Sequence, residues 1–316
     1  MPKVSVVMSV HNGAEYLKES IDSVLSQSFD DFEFIIIDDG SSDSSAEIVN
    51  NYNDDRIIFI KNSSNIGLAK SLNKGIKLSH GTYIARIDAD DVMLKDRLQI
   101  QLDYMEQNQD IGVCGSGYTM IYRKNKTIYQ PESHDEIFAK MFFNCPMAHP
   151  TVMIRKSVLE ESNIFYNENI MVAQDYDLWS RLIVITKFAN IKQPLIHYRE
   201  HQKSVSQTKT DLQLRISSNI RKRMLSLLAN KLQHKNLILH EAVATENKVA
   251  IKEYKKDILL WLNYLIEKNN EVEVVEKEIF TRYINLKKCY IMEINTPIAV
   301  KRIRKIFLAL LGVKQC

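Results

Sequence analysis

The amino-acid sequence predicts an α/β fold, a Rossmann-like and mostly parallel sheet flanked by helices, with a helical segment at the C-terminal end. Two observations predict it. Through the first hundred residues, short apolar runs alternate with amphipathic stretches, the order that gives a parallel sheet covered by helices. Beyond about residue 210, glycine is absent until Gly312, and Leu, Ile, Lys and Glu dominate, which is typical of several helices.

The first half supplies its strands and helices in regular order. Four apolar runs have the length of strands, at residues 4–10, 34–37, 57–60 and 83–87. Apolar residues with helical spacing lie between them, at Leu17, Ile21, Val24 and Leu25 and again at Leu68, Leu72 and Ile76. A further helix is expected to begin with a capping box formed by Ser44 and Glu47.

The following hundred residues are less regular but belong to the same predicted domain. Their signals are a strand at 111–114, a Pro-bounded stretch at 144–150 and a helix that begins near Asp175. The predicted divisions are an α/β domain over 1–210, with halves 1–110 and 111–210, and a helical region over 211–316.

Charge separates the two regions. Residues 1–210 carry a net charge of −6 and residues 211–316 carry +9. In a helix over 298–311, Lys301, Arg304 and Lys305 share a face opposite an apolar stripe, the pattern of a helix that lies on an anionic membrane. Packing of this stripe on the preceding α/β domain is the alternative. Nucleic acid is the weaker partner, because no recognised module accompanies the charge.

Targeting and cysteine signals indicate a cytoplasmic protein. No leader of the secretory kind opens the sequence, and the longest apolar run, at 306–313, is far shorter than the roughly 20 residues of a membrane span. The cysteines stand at positions 114, 145, 289 and 316 and match neither a disulfide framework nor a C-x-x-C metal pattern. We expect reduced thiols.

Acidic residues follow two of the predicted strands, as Asp38-Asp39 and as Asp88-Ala89-Asp90-Asp91. Ligands of open α/β sheets bind beyond the carboxyl ends of the strands, so both acidic groups should face one crevice. Closely spaced carboxylates repel one another, and a hard divalent cation neutralises them. Mg²⁺ or Mn²⁺ would complete its shell with water and diphosphate oxygens. The alternative is that these acids only cap a helix or face solvent.

Five motifs, taken in order, resemble the GT-A glycosyltransferases of family 2 over about residues 3–205. They are Val6-Val7-Met8-Ser9-Val10-His11-Asn12, Ile37-Asp38-Asp39-Gly40-Ser41, Asn65-Ile66-Gly67-Leu68-Ala69, Arg86-Ile87-Asp88-Ala89-Asp90-Asp91 and Gln174-Asp175-Tyr176-Asp177-Leu178-Trp179. The resemblance implies a nucleotide-sugar donor, most often a UDP-sugar, and a GT-A catalytic domain whose halves bind the donor and the acceptor.

The resemblance also implies residue roles. The nucleotide-sugar set is Ser9, Val10, His11, Asp39, Asp88, Ala89 and Arg199. Within it Asp39 accepts a hydrogen bond from the uracil ring and Asp88 lies near the ribose. Asp90 is the expected metal ligand, and Arg199 or His201 is expected to contact donor phosphate or the metal. The expected acceptor residues are His149, Gln174 and Tyr176.

Asp175 is the expected catalytic base. It would remove a proton from an acceptor hydroxyl, which attacks the anomeric carbon from the face opposite the nucleotide, so that an α-linked donor gives a β-glycoside. The metal would stabilise the departing diphosphate. The chain departs from the family in having Gln174 where Glu is usual, and Ser9 and His11 where Pro and Tyr are common.

The predicted function is transfer of a hexose or N-acetylhexosamine to a saccharide carried on a lipid, in assembly of a surface polysaccharide such as capsule or O-antigen. Such an enzyme would be cytoplasmic, peripheral at the inner face of the membrane. One alternative is a non-catalytic carbohydrate-binding scaffold, which Gln174 favours. The other is a sugar-phosphate nucleotidyltransferase, but that class requires a Gly-rich basic loop after the first strand, and this sequence has none there. Neither G-x-G-x-x-G nor G-x-x-x-x-G-K-[ST] occurs, which sets aside dehydrogenases and P-loop enzymes.

Overall fold

A computed structural model describes residues 1–121, 126–200, 210–229 and 231–294 of the chain. Two compact units divide it, Met1–Arg221 and a second that begins at Lys222. The division falls inside the first helix after the catalytic sheet, whereas the boundary predicted from the sequence stands at residue 210.

The first unit contains a mixed sheet and its covering helices. The described strands are β1 (Val4–Val10), β2 (Phe32–Asp38), β3 (Ile57–Lys61), β4 (Tyr83–Asp88), β5 (Val92–Met93), β6 (Ile111–Ile121), β7 (Lys126–Ile128), β8 (Met153–Arg155) and β9 (Lys187–Arg199). The described helices are α1 (Ala14–Leu25), α2 (Ser45–Asn50), α3 (Leu68–Leu78), α4 (Arg97–Gln107), α5 (His134–Met141), α6 (Lys156–Ser162) and α7 (Gln174–Leu182), with a 3₁₀ turn at His149–Thr151.

The strand order places the ends of β1, β2 and β4 side by side. The order is β3-β2-β1-β4-β8-β6-β9-β5, and β7 pairs with β6. Strands β3, β2, β1 and β4 are parallel, while β8 runs antiparallel between β4 and β6. Ser9 is in register with Asp88, and Val10 with Asp38, so the acidic residues that follow the strands meet at one edge.

Strand β1 is buried on both faces. On one face Val4, Val6 and Met8 pack against α1, whose Leu17 and Ile21 are fully buried, as their spacing predicts. On the other face α3 approaches closely. A Cβ added at Gly75 would lie 2.6 Å from Cγ1 of Val7, so only glycine permits this helix–strand distance.

The predicted capping box at the start of α2 is wrong. Ser44 is the N-cap residue, but its side chain accepts no capping hydrogen bond. Oδ1 of Asp43 instead accepts from the backbone N–H of Ser45 at 3.0 Å. A capping box does occur at α5, between Ser133 and Glu136.

The C-terminal region is helical, as predicted from its composition. Its described helices are α8 (Thr210–Ser226), α9 (His234–Ala244), α10 (Lys248–Glu253), α11 (Lys255–Val272) and α12 (Lys277–Glu293). In its core, the indole N–H of Trp261 donates to Nδ1 of His240 at 3.3 Å. Among the described residues, no helix combines the length and apolar character that crossing a membrane would require. The basic stretch 298–311 lies outside the described residues.

Candidate active site

The loops that follow β1 and β2 are bonded to each other. The backbone N–H of Asn12 donates to Oγ of Ser41 at 2.9 Å, and Oδ1 of Asn12 accepts from the backbone N–H of Ser42 at 2.9 Å. Asn12 can serve both because it adopts a left-handed backbone, with φ of 53°. Nδ1 of His11 lies 3.0 Å from the carbonyl oxygen of Asp39. Ser9 and Val10 lead directly into this bonded pair of loops.

Asp39 organises the third loop. Its buried carboxylate accepts from the backbone N–H groups of Ile66 and Gly67 and from Nδ2 of Asn62, each at 2.9 Å. Burial alone would raise the pKa of Asp39, but these hydrogen bonds favour the charged form and hold the pKa below its ordinary value. The carboxylate expected to meet uracil is therefore ionised and held at the start of α3.

A cluster of carboxylates stands at the end of β4. Asp88, Asp90 and Asp91 each offer an oxygen, and the three atoms lie within 4.8 Å of one another. Asp91 is fully buried, and its Oδ2 has no hydrogen-bond partner. Burial, together with the charges of Asp88 and Asp90, raises the pKa of Asp91 well above its ordinary value. An all-oxygen set with an unsatisfied buried carboxylate oxygen fits Mg²⁺ or Mn²⁺.

Arg199, the last residue of β9, holds the turn that carries this cluster. Its backbone N–H donates to Oδ1 of Asp91 at 2.8 Å, and its Nε donates to the carbonyl oxygen of Asp90 at 2.8 Å. Its Nη2 lies 2.5 Å from Oε2 of Glu19, and its guanidinium stacks 4.4 Å from the ring centre of Tyr16. The described contacts of Arg199 are thus with the protein. His201, its predicted companion, lies outside the described residues.

Arg86 lies beneath Asp88, two residues earlier on β4. The side chain is buried, and its Nη2 forms an ion pair with Oδ1 of Asp88. Nε and Nη1 have no hydrogen-bond partner. The backbone oxygen of Arg86 accepts from Nη2 of Arg97 at 2.9 Å, and burial, followed by the charge of Arg86, lowers the pKa of Arg97 to about 9. Two cations therefore lie next to the acidic cluster.

Asp175 stands in the first turn of α7, after Ala173 in a left-handed backbone with φ of 55°. It is half-buried, and Sγ of Cys145 lies 3.7 Å from its Oδ2. Burial raises the pKa of Asp175, whereas the N–H of Tyr176, the charge of Arg86 and the thiol of Cys145 oppose that rise. A base whose proton affinity is raised above the ordinary value of a carboxylate suits removal of a proton near neutral pH.

The expected acceptor residues occupy different environments. Nε2 of His149 lies 2.6 Å from the hydroxyl of Tyr166, and burial, followed by the charge of Arg86, lowers the pKa of His149 well below its ordinary value. Gln174 is largely buried at the start of α7. The hydroxyl of Tyr176 donates to the carbonyl of Met141 at 2.6 Å inside the core, so we assign Tyr176 to the fold and not to acceptor contact.

Sequence comparison identifies the family. The family described as "Glycosyl transferase family 2" matches residues 5–162. An uncharacterized glycosyltransferase of Methanocaldococcus jannaschii is 40% identical over 207 residues, which cover 63% of this chain and 71% of the relative. One of Haemophilus influenzae is 30% identical over 244 residues, covering 73% of this chain and 76% of the relative. The chain belongs to glycosyltransferase family 2.

Solved structures support the fold of this family 2 glycosyltransferase. S. aureus TarS 1–349 in complex with UDP-GlcNAc superposes with a TM-score of 0.61 at 17% identity, covering 92% of this chain and 89% of that one. The mannosyltransferase PcManGT of Pyrobaculum calidifontis, in complex with GDP-Man and Mn²⁺, gives 0.56 at 13% identity, with coverage of 92% and 87%. The predicted GT-A fold is confirmed.

Three residues of the candidate site were not assigned from the sequence. Asp91 was visible in the run after β4 but carried no assigned role, because its burial depends on tertiary packing. Tyr198 is a second, since burial and then the charges of Asp88, Asp91 and Asp90 raise its pKa, which places it beside the cluster. Cys145 is the third. Trp179 is fully buried between His149 and Phe188, as burial statistics predict.

Proposed function

We propose that the chain is a metal-dependent, inverting hexosyltransferase that moves a hexose or N-acetylhexosamine from a UDP-sugar to a saccharide hydroxyl. One observation carries the proposal. Arg86 forms an ion pair with Asp88 of the carboxylate cluster, and its charge opposes the rise that burial causes in the pKa of Asp175. The cluster suited to a metal diphosphate and the carboxylate suited to a base therefore lie around one buried arginine.

The donor side is formed by the three bonded loops and the cluster. Ser9, Val10 and His11 line the base, and Asp39 accepts from the uracil ring. Asp88 and Ala89 lie against the ribose. UDP as the nucleotide is supported by the TarS complexes with UDP and UDP-GlcNAc, and a divalent ion by the PcManGT complex with GDP-Man and Mn²⁺.

Asp90, with Asp91 and Asp88 beside it, would hold the divalent ion. When bound, Mn²⁺ or Mg²⁺ neutralises charge that grows on the departing diphosphate. Arg199 keeps the turn of the cluster in place through Asp90 and Asp91. A direct contact of Arg199 or His201 with donor phosphate remains a prediction.

Asp175 removes the proton of the acceptor hydroxyl as that oxygen attacks the anomeric carbon from the face opposite the diphosphate. The glycosidic bond to the diphosphate breaks, and configuration inverts, so an α-linked donor gives a β-glycoside. His149 is neutral and hydrogen-bonded to Tyr166, so it can orient an acceptor hydroxyl without adding charge. Because Gln174 stands where Glu is usual in the family, this chain has one negative charge fewer next to the base.

The acceptor and its location extend this proposal. We place the acceptor on a lipid carrier at the cytoplasmic face of the membrane, in assembly of a surface polysaccharide such as capsule or O-antigen. The support is the basic amphipathic stretch 298–311, which would attract anionic lipid headgroups.

A thermal-shift panel tests the donor assignment. UDP-, GDP- and TDP-sugars are added to the full chain with and without Mn²⁺, because a ligand that binds only the folded state raises Tm. We expect a Mn²⁺-dependent rise with UDP-sugars that is lost in Asp90→Ala. Asp103→Ala, an exposed acid on α4, is the matched control. No rise with any nucleotide sugar would contradict the proposal and favour a non-catalytic scaffold.

A further inference from the structure

We propose that Cys145 is a positioning residue for the base, its thiol donating a hydrogen bond to Oδ2 of Asp175. The inference rests on the proposed role of Asp175. It goes further by assigning a function to a side chain from a different segment, the loop between α5 and the 3₁₀ turn at His149–Thr151.

The geometry supports donation from sulfur to the carboxylate. Sγ of Cys145 lies 3.7 Å from Oδ2 of Asp175 and 3.3 Å from the carbonyl oxygen of Met147. A thiol carries one proton and is a weak donor, while an ionised carboxylate only accepts. The charged acceptor attracts that proton more strongly than the neutral carbonyl does, since hydrogen bonds to ions are about twice as strong.

The thiol remains protonated where it lies. Burial raises the pKa of Cys145 well above its ordinary value, and the negative charge of Asp175 raises it further. Cys145 is therefore a neutral donor at physiological pH and not a thiolate. A thiolate would have no proton to donate and would repel the charged carboxylate, so only the protonated thiol can hydrogen-bond to Asp175.

Other groups also act on this pair. Arg86 from β4 and the backbone N–H of Tyr176 lower the pKa of Asp175, and Lys140 of α5 lowers the pKa of the thiol. Tyr166, bonded to His149, is neutral, because burial raises its pKa. The thiol is uncharged as well, so it orients the carboxylate without adding a charge to the acceptor side.

The segment that carries Cys145 is well anchored. Pro146 is buried, and its carbonyl oxygen lies 3.4 Å from Nδ2 of Asn190 on β9. The same segment continues to His149. With the thiol on Oδ2, we assign the proton of the acceptor hydroxyl to Oδ1 of Asp175. One loop would thus orient both the base and the predicted acceptor-contact histidine.

The first test is the pH profile of UDP release from UDP-N-acetylglucosamine or UDP-glucose in Mn²⁺, with water as acceptor. Loss of the thiol in Cys145→Ala should raise the pKa of the base, since a hydrogen bond to the charged form favours that form. We expect the acidic limb of kcat/KM to move up by about half a pH unit, a loss of about threefold on that limb. Cys145→Ser, which keeps a donor, should recover part of the shift.

The controls separate this inference from the proposed function. Cys289→Ala, a loss of a half-buried thiol on α12, should leave the profile unchanged. If wild type releases UDP and Asp175→Asn does not, but Cys145→Ala keeps the wild-type limb, the inference is overturned while the function stands. A uniform loss of rate in Cys145→Ala without movement of the limb also overturns it, because that is the result of a structural defect.

A second test needs no donor. The charge of Asp175 raises the pKa of the thiol, so Asp175→Asn should leave more thiolate at pH 8. We expect N-ethylmaleimide to label Cys145 about threefold faster in Asp175→Asn than in wild type, measured by peptide mass spectrometry. Cys289 in the same digest is the internal control. Equal labelling of Cys145 in both proteins would overturn the inference even if no nucleotide sugar binds.

Discussion

The backbone N–H of Arg199 donates a hydrogen bond of 2.8 Å to Oδ1 of Asp91, a residue 108 positions earlier in the chain. The end of β9 therefore satisfies one oxygen of a fully buried carboxylate and leaves the other without a partner. A buried charge with an unsatisfied oxygen destabilises the fold unless a cation meets it. If the cluster binds a metal ion, as proposed, the charge of Asp91 should destabilise the fold without the ion and stabilise it with the ion.

Asp91→Asn should show this reversal. Its amide oxygen can still accept from Arg199 but carries no charge. Because the folded pKa of Asp91 lies above its ordinary value, the charged form destabilises the fold at neutral pH, and that cost disappears as pH falls through the folded pKa. We expect the variant to melt about 2–4 °C higher than wild type in EDTA at pH 7, for a gain of about 1 kcal/mol. In saturating Mn²⁺ the order should reverse. Equal Mn²⁺-induced shifts in the two proteins would contradict the assignment of Asp91 to the metal.

Arg199→Gln tests whether the arginine serves the turn or the donor. It removes the bonds to Glu19 and to the carbonyl of Asp90 but keeps the backbone N–H to Asp91. We expect Tm to fall by about 2–4 °C and Mn²⁺ affinity to weaken by about three- to tenfold, as the turn loosens. Glu19→Gln, the matched control, should lower Tm and weaken Mn²⁺ affinity by smaller amounts. A higher KM for the UDP-sugar with unchanged Mn²⁺ affinity would instead show direct phosphate contact.

Asp39→Asn should destabilise the fold and abolish nucleotide binding. The carboxylate accepts three donors, and an amide can place an acceptor toward only some of them. We expect a loss of about 2–3 kcal/mol in the free energy of unfolding at pH 7 and no UDP-induced rise in Tm. Because the folded pKa of Asp39 is lowered, its contribution is present above the unfolded pKa, about 3.9, and disappears as pH falls through the folded value. The difference between wild type and variant in urea melts should therefore shrink below about pH 4. A constant difference down to pH 2 would argue against an ionised Asp39.

Asp175→Asn should separate chemistry from binding. Loss of a general base costs about 10²- to 10⁴-fold in rate, while donor contacts are unaffected. We expect UDP release to fall by that factor and the Mn²⁺-dependent rise in Tm with the UDP-sugar to remain. In wild type the rate should increase with pH through the pKa of Asp175, which burial places above its ordinary value. A variant that releases UDP at the wild-type rate would remove Asp175 from the mechanism.

Local sequence signals were sufficient for the donor half of the fold. Strands β1 to β4 lie where the apolar runs predict them, and α1 buries Leu17 and Ile21 as their spacing indicates. Strands β5 and β8 are two and three residues long, so neither has a periodicity to read, and their positions depend on pairing with β9 and β4. The capping box predicted at Ser44 is absent, because the Ser44 side chain accepts no capping hydrogen bond, and Asp43 accepts from the N–H of Ser45.

The residues of the candidate site also fall into two groups, those that local motifs mark and those that only tertiary contacts reveal. Asp39, Asp88, Asp90 and Asp175 follow strands or open a helix, positions that motifs mark. Asp91 and Cys145 could not be assigned, because their importance comes from burial and from contacts with Arg199 and Asp175, which lie 108 and 30 positions away. Such contacts leave no local pattern in a single sequence.

The bonds that join Asn12 to Ser41 and Ser42, and Asp39 to Ile66, also bear on the rate at which the proposed donor site would bind a nucleotide. Loops that are already joined need no slow rearrangement before a nucleotide binds, so binding would not be weakened by a need to populate a rare competent conformation. Diffusional encounter and orientation would then set the association rate, and differences in affinity among nucleotides would come from their dissociation rates.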